Sequence, residues 1–143
     1  MEGRQRTTKC PLRDERGAET VELAVTFLLL AMVLFSGFEL GWAMTQKKHL
    51  QQAALVGARE AALRGSTAAS VTARVQDSLL AEGITTATVT LVPAEPSVAM
   101  PGTTVEVTVT VDYSTVQLLG LSALMALPDQ ITSKATMVKE PLR

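Results

Sequence analysis

The feature that most constrains this chain is an uncharged stretch from Leu23 to Phe38, with the sequence LAVTFLLLAMVLFSGF. Together with the residues as far as Met44 it offers about 22 positions, enough at about 1.5 Å of helical rise each to cross a hydrocarbon layer of about 30 Å. A buried core helix is the alternative, but a chain of 143 residues leaves little mass to wrap one. The stretch therefore predicts a membrane-spanning helix.

The charges on either side predict its orientation. Residues 1–17 carry five basic and three acidic side chains, whereas the rest of the chain carries eight and eleven. Basic flanks stay in the cytoplasm, so the N-terminus is expected there and the C-terminal part on the far side. Lys47 and Lys48 lie on that far side, within reach of lipid headgroups.

Removal of the apolar stretch as a secretory signal peptide is an alternative. The one tolerable cleavage site is Gly41-Trp42-Ala43 before Met44, and it is a poor one because Glu39 precedes it. Cleavage there would release a soluble domain. Cys10 lies ahead of the apolar stretch, so it does not match a lipoprotein cysteine, and we interpret it as an idle cytosolic thiol.

Two carboxylates, Glu22 and Glu39, flank the apolar stretch. Each would cost roughly 2.5–3.5 kcal/mol if it stayed charged deep in a bilayer. Either both reach the interfaces, or they find partners. If the chain were cut after Gly17, the new ammonium group at Ala18 would lie four residues before Glu22, on the same helix face, and could pair with it within one chain or between neighbouring chains.

The segment RG-AETVELAVTFLLL resembles a type IV prepilin processing site, with Gly17 before the cut, Ala18 as the first mature residue and Glu22 as the fifth. The longer stretch from Arg16 to Arg64 resembles the TadE-like pseudopilins of the tight-adherence (Flp) pilus system. Two family elements carry this resemblance, Glu39-Leu40-Gly41 and Ala53-Ala54-Leu55-Val56-Gly57-Ala58-Arg59. Trp42, and the acidic Asp14 and Glu15 in the leader, depart from the family pattern.

The resemblance implies a minor pilin-like subunit that prepilin peptidase cuts after Gly17 and that assembles through its hydrophobic helix. It implies a place in the bacterial inner membrane, or at the cell surface in a pilus, with an adhesion or secretion role. Other pilin or pseudopilin subunits and the inner-membrane assembly platform would be its partners. Glu22 would pair with an amino terminus in the assembled bundle. Major pilins of this system are little more than the helix, so the extra domain indicates a minor or accessory subunit.

Helical periodicity continues beyond the membrane stretch. Small and apolar residues recur at spacings of three and four, while Arg59 and other charged residues occupy other positions; the small and apolar set is Leu50, Ala53, Ala54, Gly57 and Ala61. This pattern predicts one helix over residues 18–64. Its small side chains, Gly57 above all, permit close approach of another element, which is either the chain's own sheet or a neighbouring subunit.

After Gly65, the sequence predicts a second helix that Ser66 or Thr67 caps and Gly83 ends. Alternation of apolar and polar residues then predicts strands over 87–91 and 105–113, with a weaker third over 131–139. The apolar stretch 116–127 is too short to span a membrane. We expect it either to cover the open face of the sheet or to present an exposed apolar patch to a partner or to the bilayer surface. The predicted fold class is α+β, with an antiparallel sheet of about three strands, divided into a leader (1–17), a transmembrane helix (18–45) and an exported domain (46–143).

Composition argues against catalysis and nucleic-acid binding. The chain has one His, one Cys, 3% aromatic residues and a net charge of -1, with no phosphate-binding loop or nucleophile motif. We therefore expect no enzyme activity, no metal, no cofactor, no small-molecule substrate and no nucleic-acid partner. His49 is predicted to be a solvated side chain. The main alternative to a pilin-like subunit is an uncleaved, single-pass membrane-anchored binding domain with no pilus role.

Overall fold

The computed structural model describes residues 15–120 and 128–141. The elements are helices α1 (Glu15–Ala62), α2 (Ala68–Leu80) and α3 (Tyr113–Val116), and strands β1 (Thr88–Val92), β2 (Thr104–Asp112) and β3 (Gln130–Val138). The chain divides into a first unit, Met1–Gly37, and a second unit, Phe38–Arg143. Helix α1 is continuous through the boundary between them. This is the predicted α+β architecture.

The described part of the first unit is the apolar half of α1, and its large side chains are uncovered. Val21, Phe27 and Val33 are 63%, 69% and 71% exposed. Within α1 the most apolar 18-residue window has a mean hydropathy of 2.2, and none of it is buried. A core helix of a soluble domain would be largely covered by its own chain. Helix α1 is long and apolar enough to cross a membrane, and this is consistent with single-pass anchoring.

The second unit contains a three-stranded antiparallel sheet in the order β1-β2-β3. In the central strand, Val107 lies opposite Leu91 of β1 and Ala135 of β3. The four valines of β2 at alternate positions are buried, and the residues between them are partly exposed. One face of the sheet therefore belongs to the core and the other is polar and rich in threonine, as the alternation predicts.

The core lies between that valine face, the second half of α1 and the apolar side of α2. It is formed by Leu50, Ala53, Ala54, Ala58, Ala61, Val71, Val75, Leu79, Val105, Val107, Val109 and Val111. Because α1 contributes mainly alanines and Gly57, its backbone comes close to its neighbours. A Cβ atom built on Gly57 would overlap the Cγ2 methyl of Val75 and lie 3.3 Å from Cγ1 of Val107.

A buried lysine closes the C-terminal end of α1. Lys139 is 4% exposed, and its Nζ donates to the carbonyl of Ala61 (3.0 Å), the carbonyl of Leu63 (2.7 Å) and Ser66 Oγ (3.0 Å). Three acceptors satisfy the three ammonium protons, and the positive charge lies at the negative end of the helix dipole. Helix α1 ends at Ala62 rather than at the predicted Arg64, because the Leu63 N–H bonds to the Glu60 carbonyl three residues back and Gly65 takes a left-handed conformation, with φ +70.

Helix α2 is capped at both ends. Thr67 and Ser70 form a reciprocal capping box, and Glu95 Oε1 accepts from the backbone N–H of Ala68 at 3.1 Å. At the other end Gly83 has φ +77, and the N–H groups of Gly83 and Ile84 donate to Leu80 and Leu79 carbonyls. This is the Schellman geometry, which requires a left-handed residue and so favours glycine. Thr67 and Gly83 take the predicted roles.

The structure differs from the sequence prediction at the end of the second strand. Strand β2 ends at Asp112, and Tyr113 begins α3 instead of continuing the strand. The Tyr113 N–H still bonds across, to the carbonyl of Asp129 at 2.8 Å. Of the apolar stretch 116–127, residues 121–127 lie outside the described residues. Within the remainder, Leu118 and Leu119 are about half exposed.

Substituting alanine at two glycines of α1 separates helix propensity from packing. At Gly41 a Cβ meets nothing within 4 Å, whereas at Gly57 it meets Val75. The propensity gain is similar at both sites, so Gly57→Ala should be less stable than Gly41→Ala by about 1–3 kcal/mol, the usual penalty of overpacking. Urea unfolding of the full chain in detergent, followed by circular dichroism, measures the difference. Equal stabilities would show that α1 and α2 do not pack this closely.

Candidate functional site

The residues that the sequence singles out for processing lie in the first turns of α1. Gly17 and Ala18 are exposed, and a Cβ on Gly17 would meet nothing within 4 Å. Glu22 follows Ala18 by four residues in the same helix, so the two positions share a face. Residues 1–14, which include most of the predicted leader, lie outside the described residues.

Glu22 is an exposed carboxylate on an exposed apolar helix. No side chain or backbone group among residues 17–120 and 128–141 donates a hydrogen bond to Glu22 or forms an ion pair with it. The same holds for Glu19, one turn earlier.

Glu39, the second predicted carboxylate, lies in the opposite situation. Its side chain is 0% exposed. The Tyr113 hydroxyl donates to Oε1 at 2.7 Å, and the backbone N–H of Leu119 donates to Oε2 at 2.9 Å. Both carboxylate oxygens have a partner, and hydrogen bonds to a charged acceptor are the stronger kind. Folding of the second unit thus supplies hydrogen-bond donors to Glu39, the acidic residue that directly follows the apolar stretch.

A second hydrogen bond lies one helical turn further along α1. The indole Nε1 of Trp42 donates to the carbonyl of Val116 at 2.6 Å. Residues 39 and 42 are on the same side of the helix, so together they hold α3 and the residues after it. We call this set the Glu39 anchor; it comprises Glu39, Trp42, Tyr113, Val116 and Leu119.

The anchor changes the acidity of the tyrosine. Burial, and then the hydrogen bond to and charge of Glu39, raise the pKa of Tyr113 to about 12. Each cause favours the neutral phenol over the phenolate. The hydroxyl therefore remains a donor to Glu39 over the whole physiological pH range.

The small residues predicted to pack helices lie within their own chain. Ala53 and Ala54 are fully buried in the core, and Gly57 faces α2 and β2. Arg59 is exposed. This face of α1 is occupied by the second unit itself, whereas the apolar half of the helix is uncovered.

His49 differs from the expectation of a solvated side chain. It is 27% exposed, and its Nδ1 lies 2.9 Å from Glu82 Oε2, but the alignment is too poor to count as a hydrogen bond. Among the described residues, no group of three His, Cys, Asp or Glu side chains could hold a metal ion.

Sequence reasoning missed Tyr113 and Leu119 as partners of Glu39. A signal was present, since a carboxylate next to an apolar run requires donors, and the only tyrosine of the chain ends the most regular strand pattern. What the sequence could not provide was the pairing of residues 74 positions apart. The Leu119 donor is a backbone group, which no side-chain pattern could have indicated.

Comparison with known families decides the relationship of the helical segment. A family model described as TadE-like protein matches residues 17–59. Residues 17–59 of this chain are similar to TadE-like proteins. The match includes the predicted cut, Glu22, the Glu39-Leu40-Gly41 element and the Ala53–Arg59 element. No curated protein and no solved structure matches the chain.

TadE-like proteins are typically pilin-like and without enzyme activity. The TadE-like segment contains Glu22 and also the helical half of the Glu39 anchor. The other half of the anchor, Tyr113 to Leu119, lies outside the matched residues. The family element Glu39-Leu40-Gly41 thus has a structural role in this chain, as the place where the C-terminal part is joined to the helix.

Because the chain has one tyrosine, phenolate absorbance reports on Tyr113 alone. In the folded chain the absorbance should titrate near pH 12, and in the denatured chain near the ordinary value of 10.0. Glu39→Gln should lower the folded pKa, though not to 10.0, since burial persists. The folded pKa is the higher one, so the contribution of this group to stability is complete below pH 10 and lost as the pH rises through 12.

The measurement is ultraviolet absorbance of the full chain in detergent against pH, with circular dichroism to confirm that the variant is folded. A folded wild-type chain whose tyrosine titrates at its ordinary value would show that Tyr113 is not buried against Glu39.

Proposed function

We propose that this chain is a minor pilin-like or pseudopilin subunit of a Tad-type pilus or secretion apparatus. In this proposal prepilin peptidase cuts after Gly17, and the subunit assembles through its hydrophobic N-terminal helix. One observation carries the proposal: Glu22 is exposed, without a partner among the described residues, on a helix whose apolar side chains are uncovered. The TadE-like match over the same segment supports it.

The chemistry of the cut explains what Glu22 would gain. Hydrolysis after Gly17 leaves an ammonium group on Ala18, one helical turn from the Glu22 carboxylate. At a separation of about 4 Å and an effective dielectric constant of about 20, two opposite charges attract by about 4 kcal/mol. That attraction is comparable to the roughly 2.5–3.5 kcal/mol that a lone carboxylate costs inside a bilayer.

The same pairing can be made between copies. In a bundle of parallel helices, the amino terminus of one subunit can reach the Glu22 of its neighbour when the two are staggered. An unpaired carboxylate in lipid is unfavourable, so a staggered neighbour is favoured over an unregistered one. Glu22 would thus determine how far each added subunit is shifted along the helix axis relative to its neighbour. The apolar side chains would supply the contact area between the helices.

The proposal places the subunit in the bacterial inner membrane, with its N-terminus in the cytoplasm and the second unit outside, or in a pilus at the cell surface. Its partners would be prepilin peptidase, the other pilin or pseudopilin subunits and the inner-membrane assembly platform. If a fibre were built by the N-terminal helix alone, the additional helices and the small sheet that follow it would not be needed. This supports a minor or accessory role.

A pair of variants on one helix tests the proposal. Glu22→Ala should enter the membrane as well as the wild type, since removing a charge from lipid costs nothing, but its cross-linking to other pilin subunits and its recovery with sheared pili should fall by an order of magnitude or more. Glu19→Ala is the control, because Glu19 is also exposed and unpartnered but does not occupy the fifth mature position.

Insertion is measured by carbonate extraction of membranes from the native host, and assembly by cross-linking and by shearing. If Glu22→Ala and Glu19→Ala assemble equally well, the carboxylate has no role in registration. A single-pass anchored binding domain would give that result, because nothing in such a domain needs to pair with Glu22.

A further inference from the structure

We propose that the second unit rests on the outer surface of the bilayer through a ring of exposed apolar side chains around the start of its helix. This inference depends on the proposed membrane anchoring of α1. We call the ring the lipid collar; it comprises Phe38, Leu40, Trp42, Met44, Leu118 and Leu119. The partner is the interfacial layer of the phospholipid membrane itself, not a protein.

The position along α1 sets the level of the collar. At about 1.5 Å of rise per residue, about 20 residues from Ala18 fill a hydrocarbon layer of about 30 Å. The helix therefore leaves the hydrocarbon near Phe38. Residues 38–42 then lie in the headgroup layer, which adds about 5–7 Å on each side, and Met44 lies at its outer edge. Here Phe38, Leu40 and Met44 are 57%, 44% and 58% exposed.

The Glu39 anchor brings two more leucines to the same level. The Leu119 N–H is 2.9 Å from Glu39 Oε2, so residues 118 and 119 lie beside the helix at position 39. Their side chains are 50% and 47% exposed. These two leucines follow β2 and α3 in the chain. The second unit therefore contributes apolar surface from outside helix α1 at the level where the bilayer ends.

Charge and hydrogen bonding within the collar fit lipid. Trp42 satisfies its indole N–H on the Val116 carbonyl and leaves its ring 37% exposed, and tryptophan is enriched at membrane interfaces. Glu39 is the only acidic residue between positions 38 and 48, and it is buried. Lys47 and Lys48 follow, both exposed, and their long side chains can reach back from the helix toward the lipid phosphates. Each basic residue near an anionic surface adds about 1 kcal/mol of attraction.

A second copy fits this surface less well. Copies anchored in the bilayer by the same helix, before any staggered assembly, are parallel, so their collars lie at one level. Lys47 and Lys48 of one copy would then face those of the other, and like charges brought together are unfavourable. Anionic phosphates complement the same lysines. At about 100° of rotation per residue, Phe38 and Trp42 lie on one side of the helix and Leu40 and Met44 near the opposite side, so the exposed residues do not form one flat face.

The test follows the environment of single labelled cysteines. The only native cysteine, Cys10, is replaced by serine, and a polarity-sensitive dye is attached in the full chain at Leu118→Cys or Leu119→Cys. Thr90→Cys, on the polar face of the sheet, is the solvent control. Leu29→Cys, in the apolar stretch, is the control for insertion. The chain is reconstituted in phosphatidylethanolamine–phosphatidylglycerol vesicles with either aqueous iodide or headgroup-nitroxide lipid as quencher.

The expected result is that dyes at 118 and 119 emit at shorter wavelength than at 90, resist iodide and are quenched severalfold more by the nitroxide lipid. If they behave like the dye at 90 while the dye at 29 is shielded, the collar is wrong and the anchoring stands. If the dye at 29 is also open to iodide, anchoring itself fails. Shielding that grows with the protein-to-lipid ratio would identify a second copy as the occupant and overturn the proposal.

Discussion

The pairing of Glu39 with Tyr113 and Leu119 is the contact on which the arrangement of the second unit depends. An apolar helix that ends with a carboxylate needs donors for it, and this chain supplies two from a segment about 75 to 80 residues away in sequence. The Trp42–Val116 bond reinforces the same junction. At the C-terminal end of α1, the Lys139 ammonium group donates hydrogen bonds to the last carbonyls. Helix α1 is thus hydrogen-bonded to the rest of the second unit at residue 39 and again at its C-terminal end.

The contrast between the two carboxylates gives the structure its functional meaning. Glu39 has both oxygens satisfied within its own unit, whereas Glu22 has no donor among the described residues. The TadE-like segment contains both residues. Glu39 therefore belongs to the architecture of the second unit, and Glu22 is the residue to which the proposed function assigns a partner.

Sequence reasoning was sufficient where the physical cause is local. Hydrophobic periodicity predicted α1 and α2, and alternation of apolar and polar residues predicted the strands. Thr67 and Gly83 predicted the two ends of α2. Each of these signals depends only on neighbours within a few residues in the sequence. It failed where the cause is tertiary. The Lys139 cap, the partners of Glu39 and the turn of Tyr113 into α3 depend on groups brought together by folding. The expectation that His49 is solvated was wrong for the same reason, because Glu82, from the turn after α2, lies beside it.

The most direct test of the central claim is the mature N-terminus of the protein from its native host, determined by intact mass and N-terminal peptide analysis. The account predicts a start at Ala18 that is lost when prepilin peptidase is inactivated, because only that cut places an ammonium group one turn from Glu22. A start at Met1 would leave an uncleaved anchor and remove the argument for assembly. A start near Met44 would mean a secreted domain, and would contradict the account entirely.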